Sequence, residues 1–197
     1  MGDAAENGAS TRIVLLGPPG AGKGTQAQLL AQRLGVPAIS TGDMLRAAVA
    51  ARSELGGRVQ GVMASGGLVD DALMAEVVRD RLTHADTARG YLLDGYPRTL
   101  PQAETLAGIL REAGQELDAV LLVAVPEDEL VRRALGRGRA DDSEEVIRER
   151  LRVYREKTEP LIGYYRERGL LREIDGNLSV EEVTSRMYAA LGVEGQA

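Results

Sequence analysis

Ile13-Val14-Leu15-Leu16 runs straight into Gly17-Pro18-Pro19-Gly20-Ala21-Gly22-Lys23-Gly24-Thr25, and residues 26–34 continue with a helical pattern. A strand, a glycine loop and a helix in that order build a phosphate-binding loop. Glycines let backbone N–H groups approach phosphate oxygens, and the helix N-terminus adds partial positive charge. Lys23 supplies a full charge. Of 24 basic residues only Lys23 and Lys157 are lysines, so composition does not by itself put one here. The general pattern Gly-x4-Gly-Lys-Ser/Thr is matched with one departure: Gly24 follows the lysine, and the hydroxyl comes one place later at Thr25.

Outward from this loop the chain alternates. Short apolar runs at 12–16, 37–40, 91–94, 118–125 and 170–175 read as five strands. Between them, 26–34, 43–52, 70–82, 101–113, 127–137, 144–168 and 180–191 carry apolar residues at helical steps, as Leu29, Leu30 and Leu34 illustrate. Alternation of this kind predicts an α/β fold, a parallel sheet with helices on both faces. The unbroken apolar run from Ala119 to Val123 predicts a strand buried on both sides. Residues 40–69 hold two helical patterns, parted at Ser53 and closed by Gly66-Gly67, and read as a helical excursion over the strand ends. Residues 136–142 read as a polar, glycine-punctuated loop suited to movement.

Composition narrows the chemistry. A chain of 197 residues is one ordinary domain, and without Cys it has neither a disulfide framework nor a thiolate metal site. Residues 1–11 read as a flexible tail with no apolar signal segment, and Glu6 stands where a myristoylation signal wants Ser or Thr. No apolar run approaches the roughly 20 residues of a membrane span. A formal charge of −6 gives no global basic field for nucleic acid. Polyphosphate recognition must therefore rest on locally clustered cations.

The strand ends carry the candidates for that cluster. The glycine loop ends the first strand, Thr41-Gly42-Asp43 the second, Asp94-Gly95-Tyr96-Pro97-Arg98 the third and Asp175-Gly176 the last. In open α/β sheets ligands bind beyond the carboxyl ends of the strands, so one crevice can receive all four. Asp94 suits Mg²⁺ or its waters, with a turn cap as the structural alternative. Arg46, Arg98, Arg137, Arg139 and Arg150 are candidate phosphate clamps, because the guanidinium fork matches phosphate oxygens and stays charged. Arg98, after a Tyr-Pro step at a strand end, is not explained by a solvated helix face. The spacing of Arg150 leaves a clamp and surface decoration equally open, whereas Arg148, Arg152 and Arg155 are explained by helix-surface pairs such as Glu144 with Arg148. Asp142 fits a helix cap, His84 a surface loop, and Met44, Met63 and Met74 packing positions. No Ser-His-Asp set, thiol nucleophile or metal-ligand cluster appears. Phosphoryl transfer needs mainly positioning and charge stabilisation, and a phosphate acceptor is already ionised.

Taken together, Gly17 to Thr25, Ser40-Thr41-Gly42-Asp43-Met44-Leu45-Arg46, Gly67-Leu68-Val69, Asp94 to Thr99 with Gln102, and Gly138-Arg139-Ala140-Asp141-Asp142 resemble the adenylate kinase family over residues 12–192. The Gly24 that departs from the general loop is what this family shows. The resemblance implies a three-layer P-loop kinase with a central five-stranded parallel sheet, residues 40–69 as the AMP-binding region and 136–142 as a short lid, a known case of gating by loop closure in that family. It implies that Gly20, Ala21, Gly22, Lys23, Gly24 and Thr25 hold ATP phosphates, that Arg137 closes over ATP, and that the Gly176 backbone meets its adenine. Thr41, Arg46, Gly67, Leu68, Val69, Gly95, Tyr96, Pro97, Arg98, Gln102, Arg139 and Arg150 would bind AMP or bridge it to the phosphoryl in transit. Lys23, Arg98, Arg137, Arg139 and Arg150 would be the catalytic set. Longer relatives carry a lid hairpin, some with zinc held by cysteines; here that zinc has no ligands.

The expected reaction is ATP plus AMP giving two ADP, with Mg²⁺ on ATP and Asp94 as its contact, in a cytoplasmic monomer without nucleic-acid or membrane partners. Thr41 and Gln102 resemble the adenine-selecting residues of the family, and a carboxamide can pair with both a donor and an acceptor on the base, so AMP is expected over UMP or CMP. Two alternatives stand beside this reading: a kinase for another nucleoside monophosphate, and a regulatory module that binds ATP without transfer.

Overall fold

Five parallel strands, β1 (Thr11–Leu16), β2 (Ala38–Ser40), β3 (Gly90–Asp94), β4 (Ala119–Ala124) and β5 (Leu171–Asp175), form one sheet in the order β2-β3-β1-β4-β5. This is a computed structural model, and it describes residues 11–139 and 143–193. The helices are α1 (Lys23–Leu34), α2 (Thr41–Ala50), α3 (Glu54–Ala64), α4 (Asp71–Leu82), α5 (Leu100–Glu112), α6 (Glu127–Gly136), α7 (Glu144–Val153), α8 (Pro160–Glu167) and α9 (Val180–Leu191).

Three layers follow from the period of two along the central strands. Val14 and Leu16 of β1 join Leu93, Val120 and Leu122 on one face, while Ile13 and Leu15 join Leu92, Leu121 and Val123 on the other. Leu45, Val59, Val78, Leu106 and Leu161 cover the first face from α2, α3, α4, α5 and α8. Leu30, Ala134, Ile147 and Met187 cover the second from α1, α6, α7 and α9. Each fully buried aliphatic side chain contributes roughly 1.5–3 kcal/mol, so both faces stabilise the sheet and fix its register. Edge strand β5 exposes Arg172 and Glu173, charges that discourage pairing with another chain.

Several sequence boundaries move for identifiable reasons. Thr11, assigned to the tail by composition, opens β1; residues 1–10 of that expected tail lie outside the described residues. Helix α1 begins at Lys23, three residues before the apolar pattern, because its first turn faces the phosphate loop and carries no core side chain. Helix α2 begins at Thr41 because the Ser40 hydroxyl accepts from the Asp43 N–H at 3.2 Å. The cap of α7 is Ser143, whose hydroxyl accepts from the Val146 N–H at 3.3 Å; Asp142, expected to cap, lies outside the described residues, as do Ala140 and Asp141 of the expected lid. The single helical pattern at 144–168 is divided by a π-helical turn, Tyr154–Thr158, in which the Glu159 N–H donates to the Tyr154 carbonyl at 2.9 Å. Pro160 has no N–H to continue the α-helical ladder, and the wider turn precedes it.

The expected structural residues take their places. Met74 is buried and Met44 and Met63 pack against the same cluster, while His84 is exposed beside a short 3₁₀ turn. Among the described residues no helix is long and apolar enough to cross a membrane.

Candidate active site

Pairing of β1 with β3 and of β3 with β2 brings three strand ends together. Leu15 stands opposite Asp94, and Ser40 stands opposite Asp94 from the other side, so the phosphate loop, the β3 carboxylate and the start of α2 open into the same space. A cleft of about 630 Å³ lies there, within the usual range of a ligand site. Gly20, Gly22, Lys23, Gly24 and Thr25 line it, as do Thr41, Arg46, Gly67, Leu68, Val69, Gly95, Pro97, Arg98 and Gln102. Asp94, Arg137, Arg139 and Arg150 line the same cleft. Ala21 and Tyr96 are buried behind the lining, in the two core clusters.

Two glycines of the lining are sterically required. Gly20 has φ +88°, and a Cβ there would stand 2.5 Å from the Leu130 carbonyl oxygen of α6, so only glycine lets the loop run this close. Gly95 has φ +87°, and its Cβ would stand 2.6 Å from the Thr41 hydroxyl. The next peptide bond, Tyr96–Pro97, is cis.

Positive charge is concentrated around one carboxylate. The Lys23 ammonium donates to the Pro18 carbonyl at 3.1 Å, which turns it back over the loop. Burial pushes its pKa below the ordinary lysine value; Asp94 opposes that shift, and Arg98, Arg137 and Arg139 reinforce it. Burial also lowers the Arg98 pKa, again opposed by Asp94 and reinforced by Arg150 and Arg46. The Arg98 Nε donates to the Gly95 carbonyl at 2.8 Å, which orients the fork. Cations held this close at a cost to their charged forms make a site complementary to an anion.

Asp43, at the start of α2, ties two of the arginines. Arg46 lies 2.5 Å from its Oδ1 and Arg139 3.7 Å, so Arg139, just beyond α6, meets the excursion at 40–69 through one carboxylate. Burial disfavours the charged form of Asp43, yet Arg46, the Ser40 hydroxyl and Arg139 hold its pKa below the ordinary carboxylate value.

On the opposite wall Thr41 and Gln102 are almost fully buried yet reach the cleft. The Thr41 hydroxyl donates to the Asp94 carbonyl at 3.4 Å. The Gln102 Oε1 accepts from the Arg98 backbone N–H at 2.7 Å, and its Nε2 donates to Asp71 at 2.7 Å.

Three contributors escaped the sequence reading. Asp71 stands behind Gln102. Thr158, in the π turn, donates to the Arg98 carbonyl at 2.8 Å. Arg133 lines the cleft and donates to the Gly176 carbonyl at 2.9 Å, which connects Gly176, itself outside the lining, to the site. Glu129 accepts from Arg133 Nε at 2.6 Å, and that i,i+4 spacing disguises Arg133 as a surface pair.

The donor set also fits a magnesium ion delivered with a nucleotide. Among the described residues no group of three or more His, Cys, Asp or Glu could hold a metal. Mg²⁺ typically takes one or two carboxylates and completes its shell with water and substrate phosphates, and Asp94, in the cleft that Thr25 also lines, supplies that much. A cleft of phosphate-binding backbone, arginines and two carboxylates, Asp43 and Asp94, with neither cysteine nor histidine in its lining, suits phosphoryl transfer between two bound phosphates.

Comparison with known proteins agrees with this geometry. The adenylate kinase family model matches residues 15–170. An adenylate kinase of Kocuria rhizophila is 53% identical over 185 residues, covering 92% of this chain and 98% of that protein. Adenylate kinases of Thermus thermophilus and Thermobifida fusca are 54% and 52% identical, covering 92% and 91% of this chain and 97% of each relative. With the phosphate loop, the facing arginines and the sequence identity in agreement, the chain belongs to the adenylate kinase family of nucleoside monophosphate kinases.

Proposed function

We propose that the protein catalyses reversible transfer of the γ-phosphoryl group of ATP to AMP, as a cytoplasmic monomer whose partners are nucleotides alone. The observation that carries this reading is one cleft lined by both the phosphate loop, Gly20 to Thr25, and a second polar pocket of Thr41, Arg98 and Gln102. A nucleotide switch needs the first and has no use for the second.

In this reading the backbone of Gly20, Ala21, Gly22 and Gly24 and the Thr25 hydroxyl cradle the ATP phosphates, with the Gly176 backbone at the adenine. Asp94 and Thr25 would hold Mg²⁺, which when bound would neutralise phosphate oxygen charge. Arg46, Gly67, Leu68, Val69, Gly95, Tyr96 and Pro97 shape the AMP pocket, Thr41 and Gln102 read its base, and Arg98 grips its phosphate. Lys23, Arg98, Arg137, Arg139 and Arg150 surround the phosphoryl in flight. The charges of Lys23 and Arg98 are desolvated beforehand, so little reorganisation of these two accompanies the reaction. The AMP oxygen is ionised on arrival, and no side chain removes a proton. Residues 136–142 act as a lid and 40–69 as the opposing flap, together excluding water that would otherwise accept the phosphoryl.

A bisubstrate dinucleotide, two adenosines joined by five phosphates, tests the pairing of the pockets. It is expected to compete with both ATP and AMP. Competition with ATP alone would leave a single nucleotide site and refute the reading.

A further inference from the structure

We infer that Asp71 is a positioning residue that locks the Gln102 carboxamide in one orientation and so makes the monophosphate pocket accept a 6-aminopurine and reject a 6-oxopurine. The inference rests on the reading of Gln102 as the base contact of the AMP pocket.

An amide side chain is nearly symmetric in shape but not in chemistry, and its two ends exchange on a half-turn. At Gln102 both ends are committed. The Arg98 backbone N–H, which can only donate, reaches Oε1 at 2.7 Å, and the Asp71 carboxylate, which can only accept, reaches Nε2 at 2.7 Å. Reversal would set donor against donor and acceptor against acceptor. Asp71 is itself held, since the Thr99 hydroxyl lies 3.2 Å from both of its oxygens while that hydroxyl caps α5 by accepting from the Gln102 N–H at 3.2 Å. Thr99, Asp71 and Gln102 thus form a closed ring of hydrogen bonds between the starts of α4 and α5. Gln102 lines the cleft and Asp71 does not, so Asp71 acts only through Gln102.

The lock leaves one Oε1 lone pair and one Nε2–H for a ligand, in fixed order. Adenine offers an N6–H donor beside its N1 acceptor and matches that order. Hypoxanthine offers an O6 acceptor beside an N1–H donor, the reverse, and would leave both pairs opposed. An amide able to turn would satisfy either base. The Arg98 N–H belongs to the backbone and persists in every variant, so Asp71 is the removable half of the lock.

The test compares kcat/KM for AMP and IMP, with ATP as donor, in the wild type, Asp71→Ala and Asp71→Asn. The wild type is expected to prefer AMP strongly. In Asp71→Ala the AMP-to-IMP ratio should fall by about tenfold or more, through a raised KM for AMP and with the KM for ATP unchanged. Asp71→Asn keeps an oxygen that can accept from both Nε2 and the Thr99 hydroxyl, and should restore the ratio to within about threefold. A purely structural role for Asp71, as an acidic residue in the first turn of α4, would lower the melting temperature of both variants and leave the ratio alone. An unchanged ratio in folded Asp71→Ala overturns the inference. Should that variant not fold, Asp71→Ser, too short to reach Nε2, is read in the same way. A wild type that uses AMP and IMP equally also overturns the inference while leaving the kinase reading intact, whereas a wild type with no AMP turnover refutes that reading itself.

Discussion

The hydroxyl of Thr158 donates to the carbonyl oxygen of Arg98 at 2.8 Å, fastening the π-helical turn Tyr154–Thr158 to the backbone beside β3. Arg150 lies on α7, which runs into that turn, so the bond ties together the two segments that bring Arg98 and Arg150 to the same cleft. Thr158 is buried, and Thr158→Val keeps its shape while leaving the Arg98 carbonyl without this donor. The expected cost is about 1–3 kcal/mol of stability, read as a lower urea midpoint with an unchanged slope. A several-fold fall in kcat should accompany it.

Lys23 illustrates function held at a cost to stability. Its folded pKa lies below the ordinary lysine value because of burial, so the ligand-free fold carries a desolvated charge. Below the folded pKa both folded and unfolded chains hold the proton and the cost is fully present. Between the folded and unfolded values only the unfolded chain holds it, so this residue's contribution to stability rises with pH through that window. Lys23→Met should therefore leave the ligand-free protein as stable as the wild type or more so at neutral pH. Turnover should drop at least about 100-fold, the scale of losing one preorganised charge contact. Thermal melts of both proteins, paired with steady-state assays, check the two halves.

For Arg98 the fork geometry matters as much as the charge. Its Nε is spent on the Gly95 carbonyl, which leaves the two terminal nitrogens of this cleft-lining residue for a ligand. Lysine keeps the charge and loses the fork, so Arg98→Lys should fall in kcat nearly as far as Arg98→Ala, by roughly 100-fold or more. Single-turnover rates at saturating ATP and AMP separate this from weakened binding.

Gly95→Ala adds one methyl group at φ +87°, 2.6 Å from the Thr41 hydroxyl. Backbone strain there costs about 1–3 kcal/mol, and relief requires moving Thr41 or the Arg98 fork. The expected result is a lower melting temperature together with a raised KM for AMP and a nearly normal KM for ATP.

Which of these relationships the sequence announced depended on the range of the contact. The phosphate loop was legible because strand, glycines and lysine are contiguous, and the alternating pattern announced a parallel sheet; the β1–β3 pairing that brings Asp94 to the loop was not legible, because alternation does not set the strand order and β3 lies between β1 and β2. Arg150 was ambiguous because a helix carrying Glu144, Arg148, Glu149 and Arg152 accounts for any arginine by its neighbours; only packing sends that one into the cleft while Arg148 and Arg152 pair at the surface. The π turn left no mark, since Leu151 and Leu161 stay buried on either side of it. Asp71 and Thr158 were illegible for a further reason. Each acts through a hydrogen bond to a residue 31 or 60 positions away, and one sequence carries no signal for such a partner.

The central claim, that two facing nucleotide pockets of one cleft exchange a phosphoryl group, is tested most directly by following the label. With ATP carrying ³²P at the γ position, Mg²⁺ and AMP, the account predicts that the label appears in ADP, that two ADP form for each ATP consumed, and that little inorganic phosphate is released. Label released as inorganic phosphate, or retained in ATP while AMP is bound, would contradict it.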